Sequence, residues 1–290
     1  MHNNDFVIIG GDKRLGFTAQ SLINSGYRVG VYANSAAAGV KGTDTYPSLD
    51  EAMNSADKIV FGIPFSRNGV LYAPLCTQQI TVNDIANLVR PHHRLCGGLV
   101  GDFALMCGKK GAVCVDYGAR EDFCLFNAVP TAEAVISILI EKLPVTLWGS
   151  KILIMGYGRI GKALSQRLVS LGADVTVTAR KSTDFAIAAI SGIKHTATSP
   201  HIDNGRQYDV VINTIPQKIL TDKSFECLKS DCLVIDVSAY PGYVLQSEAE
   251  KHGIEVLGAF SLPGKTAPVT AGKIIAEVVK NIFDEIKQLH

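Results

Sequence analysis

The chain has 290 residues, 47% hydrophobic and 19% charged, with seven cysteines and a formal net charge of +1 at pH 7. Such a composition readily builds a packed core in one or two domains and gives no reason to expect nucleic acid or an acidic membrane as a partner. No two cysteines form a C-x-x-C pair, so the thiols read as free and buried in a reducing compartment.

In chain order, Phe6-Val7-Ile8-Ile9 predicts a strand and Gly10-Gly11 the tight turn after it, with no basic-then-apolar leader before them. Residues 15–24 read as a helix, 28–33 as a second strand and 58–63 as a third, with weaker strand candidates at 95–99 and 112–115. This alternation predicts a parallel sheet covered by helices. Asn127-Ala128-Val129-Pro130-Thr131 reads as a loop. An apolar helix follows over 131–143, bracketed by Pro130 and Pro144 and connecting two domains. Residues 151–155 open a second α/β unit, and a long amphipathic helix from about 271 returns to the first domain. The expected architecture is α/β with two doubly wound parallel-sheet domains. The first comprises 1–130 plus about 271–290 and is flavodoxin-like; the second, 131–270, is a Rossmann domain that includes the connecting helix. A cleft between two such domains is the default ligand site. No apolar run approaches the roughly 20 residues of a membrane helix, and a cytoplasmic protein is expected.

The strongest local signal is Gly156-Tyr157-Gly158-Arg159-Ile160-Gly161, between a strand ending at Met155 and a helix over 162–171, with a second strand at 175–179. That is a complete βαβ unit around G-x-G-x-x-G. Gly156 allows the tight turn, Gly158 lets the backbone approach a pyrophosphate, and Gly161 lets helix and strand pack closely. Free N–H groups at the helix start, Arg159 and Ile160 among them, receive the phosphate charge. An NAD site commonly has an acidic residue at the end of the second strand, but this chain has Arg180-Lys181-Ser182. Two cations and a hydroxyl suit a 2′-phosphate, so NADP is preferred with NAD possible; a solvated basic turn is the alternative. Further strands end at Asn213-Thr214-Ile215-Pro216 and at Asp236-Val237-Ser238. Ligands of open α/β sheets bind at such ends, which places Asn213, Thr214, Pro216 and Ser238 near the coenzyme and leaves Asp236 as a buried structural carboxylate.

These segments resemble the A subunit family of dipicolinate synthase. The likeness runs over nearly the whole chain. It rests on Ile8-Ile9-Gly10-Gly11-Asp12-Lys13-Arg14, on Asn127-Ala128-Val129-Pro130-Thr131-Ala132-Glu133, on the glycine loop with Thr178 to Ser182, on Ile212 to Pro216, and on Leu262-Pro263-Gly264-Lys265-Thr266-Ala267-Pro268-Val269-Thr270-Ala271-Gly272. The resemblance implies oxidation of dihydrodipicolinate to dipicolinate with NAD(P)⁺ as hydride acceptor. It also implies that the partner is a flavoprotein-like B subunit, and that the chain serves sporulation in the mother-cell cytoplasm. Pro241-Gly242-Tyr243 stands where family members have Pro-Gly-Gly, which alters the shape of that turn.

A cyclic imine with two carboxylates calls for orientation and positive charge, because aromatisation itself drives the reaction. The candidates are Arg14, Thr131, Glu133 and Lys265, with Ser66 and Arg67 beside the third strand. Each has a plainer reading: Arg14 a solvated helix start, Thr131 a helix cap, Glu133 a first-turn acid favoured by the helix dipole, Lys265 a loop lysine. The seven histidines include none at a strand end, and the loop after Asp236 has Ser238-Ala239-Tyr240 instead of an arginine. Both features argue against a 2-hydroxyacid dehydrogenase or a homocysteinase-like enzyme; Tyr240 is either an acid/base or a packed loop residue. No set of residues has metal-ligand spacing, and His92-His93 reads as a loop pair. A non-catalytic dinucleotide-binding protein that senses or regulates is the competing reading from another class. A homodimer is the default assembly.

Overall fold

A computed structural model describes residues 4–238 and 242–288. The chain divides into two compact units: residues 1–127 with 263–290, and residues 128–262. The first carries strands β1 (Phe6–Ile9), β2 (Val29–Tyr32), β3 (Thr43–Thr45), β4 (Lys58–Phe61), β5 (Arg94–Gly97) and β6 (Val113–Asp116). The second carries β7 (Lys151–Met155), β8 (Asp174–Ala179), β9 (Lys194–Ala197), β10 (Val210–Asn213), β11 (Leu233–Asp236) and β12 (Val256–Gly258). Both sheets are fully parallel and share one order, β3-β2-β1-β4-β5-β6 and β9-β8-β7-β10-β11-β12. In each, the first strand lies at the centre: Ile8 pairs with Val31 and Val60, and Ile154 with Val177 and Ile212. The continuous apolar runs of β1, β2, β10 and β11 are buried along their length, as a sheet covered on both faces requires.

This topology corrects one expectation. A flavodoxin-like sheet runs 2-1-3-4-5, whereas the first unit has the 3-2-1-4-5-6 order of a dinucleotide-binding fold, like the second. Helix α1 (Arg14–Asn24) follows β1 and packs on the C-terminal helix of the same unit. Thr18 Oγ donates to Gly272 O at 3.0 Å, and a Cβ on Gly272 would come within 2.6 Å of Phe17 Cβ, so glycine permits the close crossing.

The second correction concerns residues 121–143. The expected loop at 127–131 is helix: α2 runs unbroken over Glu121–Lys142 with Pro130 inside it. Proline costs a helix one N–H and normally ends it. Here buried Ala128, Ala132, Val135 and Leu139 keep helical spacing straight across it, and the last three belong to the core of the second unit. Breaking the helix at Pro130 also hid its length. Its 22 residues have a mean hydropathy of 1.8 in the most apolar window, enough to cross a membrane by length and composition, although its buried face is part of a protein core. Helices α3 (Arg159–Ser170) and α4 (Ser182–Ile190) flank the second sheet. Near the C-terminus, α5 (Leu262–Thr266) replaces the expected loop around Lys265, and α6 (Pro268–Gln288) begins three residues earlier than expected.

Expected pH sensitivity lies in the first unit. His93, fully buried just before β5, accepts a hydrogen bond from Arg90 N at Nδ1 (3.1 Å), and burial, then the neighbouring His92, push its pKa from 6.5 down to about 4. Below pH 6.5 the unfolded chain binds a proton that the native site refuses, so stability is lost as pH falls from about 6.5 towards 4. Linkage puts the full loss at about 3 kcal/mol, reached only as pH approaches 4. Urea unfolding at pH 7.5 and pH 5 should show about 2 kcal/mol of it, and His93→Asn, which keeps an acceptor for Arg90 N, is expected to flatten the difference.

Candidate functional site

Strand β7 ends at Met155 and the chain turns through Gly156 (φ +98°) into α3. A Cβ on Gly156 would stand 2.7 Å from Thr214 Oγ1, so only glycine lets the strand end of β10 lie against the turn. Gly161 is closed off in the same way: its Cβ would fall on the carbonyl oxygen of Gly156. Gly158 is the opposite case. It caps α3 without a side-chain bond, and a Cβ there would meet nothing within 4 Å. The loop is therefore tight at both ends and open in the middle, beside the first turn of α3, to which Gly158 supplies no side-chain cap. An anion fits that arrangement. Thr178 holds the loop from below, its Oγ1 accepting from Gly156 N at 3.0 Å and from Thr198 Oγ1 at 3.1 Å.

Arg180 and Lys181 are exposed on the turn between β8 and α4, and Ser182 is exposed as the first residue of α4. Across from them, Lys162 of α3 reaches Asp184 of α4 at 2.9 Å and lies 5.3 Å from the Tyr157 ring centroid. The β10 end holds Thr214, whose Oγ1 donates to Met155 O at 2.9 Å, and an exposed Pro216. Asn213 differs from expectation. It is 1% exposed, its Nδ2 donates to Asp236 Oδ1 and Ile215 O, and its Oδ1 accepts from Ile215 N. Both amide protons are spent in shaping the turn, and burial closes the side chain off from a ligand. Asp236 is the buried structural carboxylate, accepting from Ser238 N and Oγ, Tyr243 N and Val244 N. Ser238 thereby spends its hydroxyl proton, at 2.6 Å, and keeps only acceptor capacity. Ala239, Tyr240 and Pro241 lie outside the described residues, and with them the acid/base reading of Tyr240.

In the first unit the equivalent glycine turn is filled. A Cβ on Gly10 would stand 2.7 Å from Leu71 Cδ2, and Gly11 N is bonded to Tyr72 O at 2.7 Å. The carboxylate of Asp12 sits at the start of α1, accepting from Arg14 N at 3.0 Å, where the other unit leaves room for phosphate. That carboxylate also takes the Arg14 fork, with Nε to Oδ1 at 2.9 Å and Nη2 to Oδ2 at 2.8 Å. Nη2 further donates to Ile63 O, and Gly264 of α5 passes so close that its Cβ would be 3.1 Å from Nε. Arg14 is thus not a solvated helix start but a buried residue, its side chain only 10% exposed. Burial works against its charge, and the bonds to Asp12 more than offset this. Lys265, next to Gly264, is exposed.

Four other candidates fare differently. Thr131 is buried in the middle of α2 and caps nothing. Glu133 lies in the fourth turn of that helix, where the dipole argument has no force; it is 63% exposed and 3.8 Å from Arg167 of α3. Ser66 and Arg67 form one strand of a small hairpin, with Arg67 stacked 4.7 Å from the Tyr72 ring. Three ligand-type groups that sequence spacing does not mark converge in space: atoms of Asp222, Glu226 and His252 lie within 4.8 Å of one another, beside a cavity of about 430 Å³ also lined by Arg206, Lys229 and Ser230. His252 is already bonded to Asp222 at 2.9 Å. Glu226 and His252 are 26 positions apart, so spacing alone gives no sign of the group. Thr178, Lys162 and Asp184 were also missed; the only signal for Thr178 is a polar residue at an otherwise apolar strand end.

Residues 5–117 match the profile of the N-terminal domain of the dipicolinate synthase A subunit, and residues 151–240 that of NADP oxidoreductase, coenzyme F420-dependent. The crystal structure of the dipicolinate synthase A subunit from Bacillus halodurans is 30% identical, with a TM-score of 0.87, over 97% of this chain and 98% of that one. This chain belongs to the A subunit family of dipicolinate synthase. The corresponding dipicolinate synthase structure from Bacillus subtilis superposes with a TM-score of 0.89 at 25% identity, over 100% of this chain and 99% of that one. The dipicolinate synthase A subunit of Bacillus subtilis (strain 168) aligns at 34% identity over 58% of this chain; the chain spans 57% of that curated relative's length in the match. Within the family, the second unit is an oxidoreductase-type domain for a nicotinamide dinucleotide, and membership of an A subunit family implies a partner subunit.

Proposed function

We propose that the chain binds NADP(H) on its second unit and oxidises dihydrodipicolinate to dipicolinate. The observation that carries this reading is the open backbone at Gly158 at the start of a helix, with Arg180 and Lys181 exposed on the next turn. Gly156, Gly158 and Gly161, with the N–H groups of Arg159 and Ile160, receive the pyrophosphate. Arg180, Lys181 and Ser182 take the 2′-phosphate, which selects NADP over NAD. Thr214, Pro216 and Ser238 border the ribose and nicotinamide. When bound, the coenzyme supplies the hydride acceptor; the substrate also gives up a proton and becomes aromatic.

For the substrate, Arg14 is the proposed carboxylate receptor and Lys265 a second positive charge. A buried fork held on one edge by Asp12 is already oriented, so binding does not have to order it. Glu133, exposed and paired with Arg167, is a weaker candidate for the proton. The domain assignment that goes with this reading is a substrate-binding first unit and a coenzyme-binding second unit. Partnership with a B subunit, a homodimer, and a role in sporulation in the mother-cell cytoplasm complete the proposal, on the strength of the family.

The test is absorbance at 340 nm with freshly generated dihydrodipicolinate and NADP⁺ or NAD⁺, with the B subunit present or omitted. A rise with the chain alone, faster with NADP⁺, supports the full reading. A rise only with B present makes this chain the coenzyme-binding half of a shared activity. Coenzyme binding without turnover under any condition favours the regulatory reading.

A further inference from the structure

We infer that Lys162 tunes coenzyme preference by masking Asp184. The inference rests on the NADP reading above and adds a specificity-determining pair to it. Asp184 is the third residue of α4, two positions after Ser182 and within one helical turn of the cationic segment Arg180-Lys181-Ser182. An unpaired carboxylate there opposes a 2′-phosphate, which carries nearly two negative charges, far more than it opposes the neutral hydroxyl of NAD. One helical turn is about 5.4 Å, inside the screening length of about 8 Å at physiological salt.

Lys162 removes that opposition. It is the fourth residue of α3, directly after Gly161, and its Nζ holds Asp184 Oδ1 at 2.9 Å. The ammonium is also placed 5.3 Å from the ring centroid of Tyr157, a side chain only 3% exposed. Lys162 thus rests on a fixed aromatic face of the glycine loop while neutralising the one acid in the first turn of α4. With the pair intact, the turn presents Arg180 and Lys181 without a competing charge. Lys162 is a positioning and masking residue; no contact with the coenzyme is assigned to it.

The experiment measures Kd for NADP⁺ and for NAD⁺ by calorimetry on the full chain in five forms: wild type, K162M, K162R, D184N and K162M/D184N. K162M is expected to raise the Kd for NADP⁺ about five- to tenfold and that for NAD⁺ less than about twofold. Adding D184N to K162M should return the NADP⁺ value to within about twofold of wild type, and K162R should keep the wild-type ratio. Equal weakening of both coenzymes by K162M, or a double variant as weak as K162M, overturns the inference and makes Lys162 a direct phosphate contact or a tether. A wild type that binds NAD⁺ more tightly overturns the NADP reading separately, because the change in ratio across the five proteins still reports on the masking.

Discussion

Gly158→Val is expected to abolish dinucleotide binding while leaving the fold and its stability nearly unchanged. The backbone at Gly158 is extended (φ −80°, ψ −159°), which any residue adopts, and an added Cβ meets nothing within 4 Å. The isopropyl group instead fills the space that a pyrophosphate needs against the helix start. Losing that approach should weaken NADP⁺ binding at least about a hundredfold, since several charge-assisted bonds go together. Gly161→Val is the contrasting case. Its Cβ falls on the Gly156 carbonyl, so the turn itself must move, and both binding and thermal stability are expected to drop. Calorimetric titration together with thermal melts distinguishes the two. A Gly158→Val protein that still binds NADP⁺ tightly would mean the coenzyme does not use this loop.

Arg14→Gln is expected to cost both stability and activity, and a second substitution should separate the two effects. The change leaves Asp12, with only 20% of its side chain exposed, without its cation. Removing one partner of a largely buried ion pair costs about 2–4 kcal/mol, near the lower end for buried pairs because Asp12 retains some solvent. Asp12→Asn in the same protein removes the stranded charge and should recover most of the stability, because an amide pair can bridge the same positions. Recovery of activity is not expected, since the positive charge for a substrate carboxylate is gone. Urea unfolding gives the first quantity, and kcat/KM in the 340 nm assay gives the second. Full activity in the double variant would remove Arg14 from the substrate reading.

Much of this was legible in the sequence where one local signal dominated. The central strands are continuous apolar runs, and the βαβ unit around Gly156, Gly158 and Gly161 has turn, helix and strand at the required spacing. Two of the edge strands were not legible. Thr43–Thr45 and Lys194–Ala197 are polar and largely exposed, held by a parallel neighbour on one side only, so no apolar pattern marks them. Pro130 misled for a physical reason: local proline chemistry argued for a loop, and the packing of Ala132, Val135 and Leu139 overrode it. Candidate residues divided along the same line. The open glycine could be read from its motif, but the internal bonding that consumes Asn213, the Asp12 clamp on Arg14 and the Lys162–Asp184 pair all depend on side-chain contacts that no motif encodes.

The central claim is that one nicotinamide dinucleotide, preferably NADP(H), binds each chain on the second unit, the glycine turn of the first being filled by Leu71, Tyr72 and Asp12. Calorimetric titration of the purified chain with NADP⁺ and with NAD⁺ tests it most directly. The account predicts one site per chain, with NADP⁺ the tighter ligand. Two sites per chain, or no heat with either dinucleotide, would contradict it.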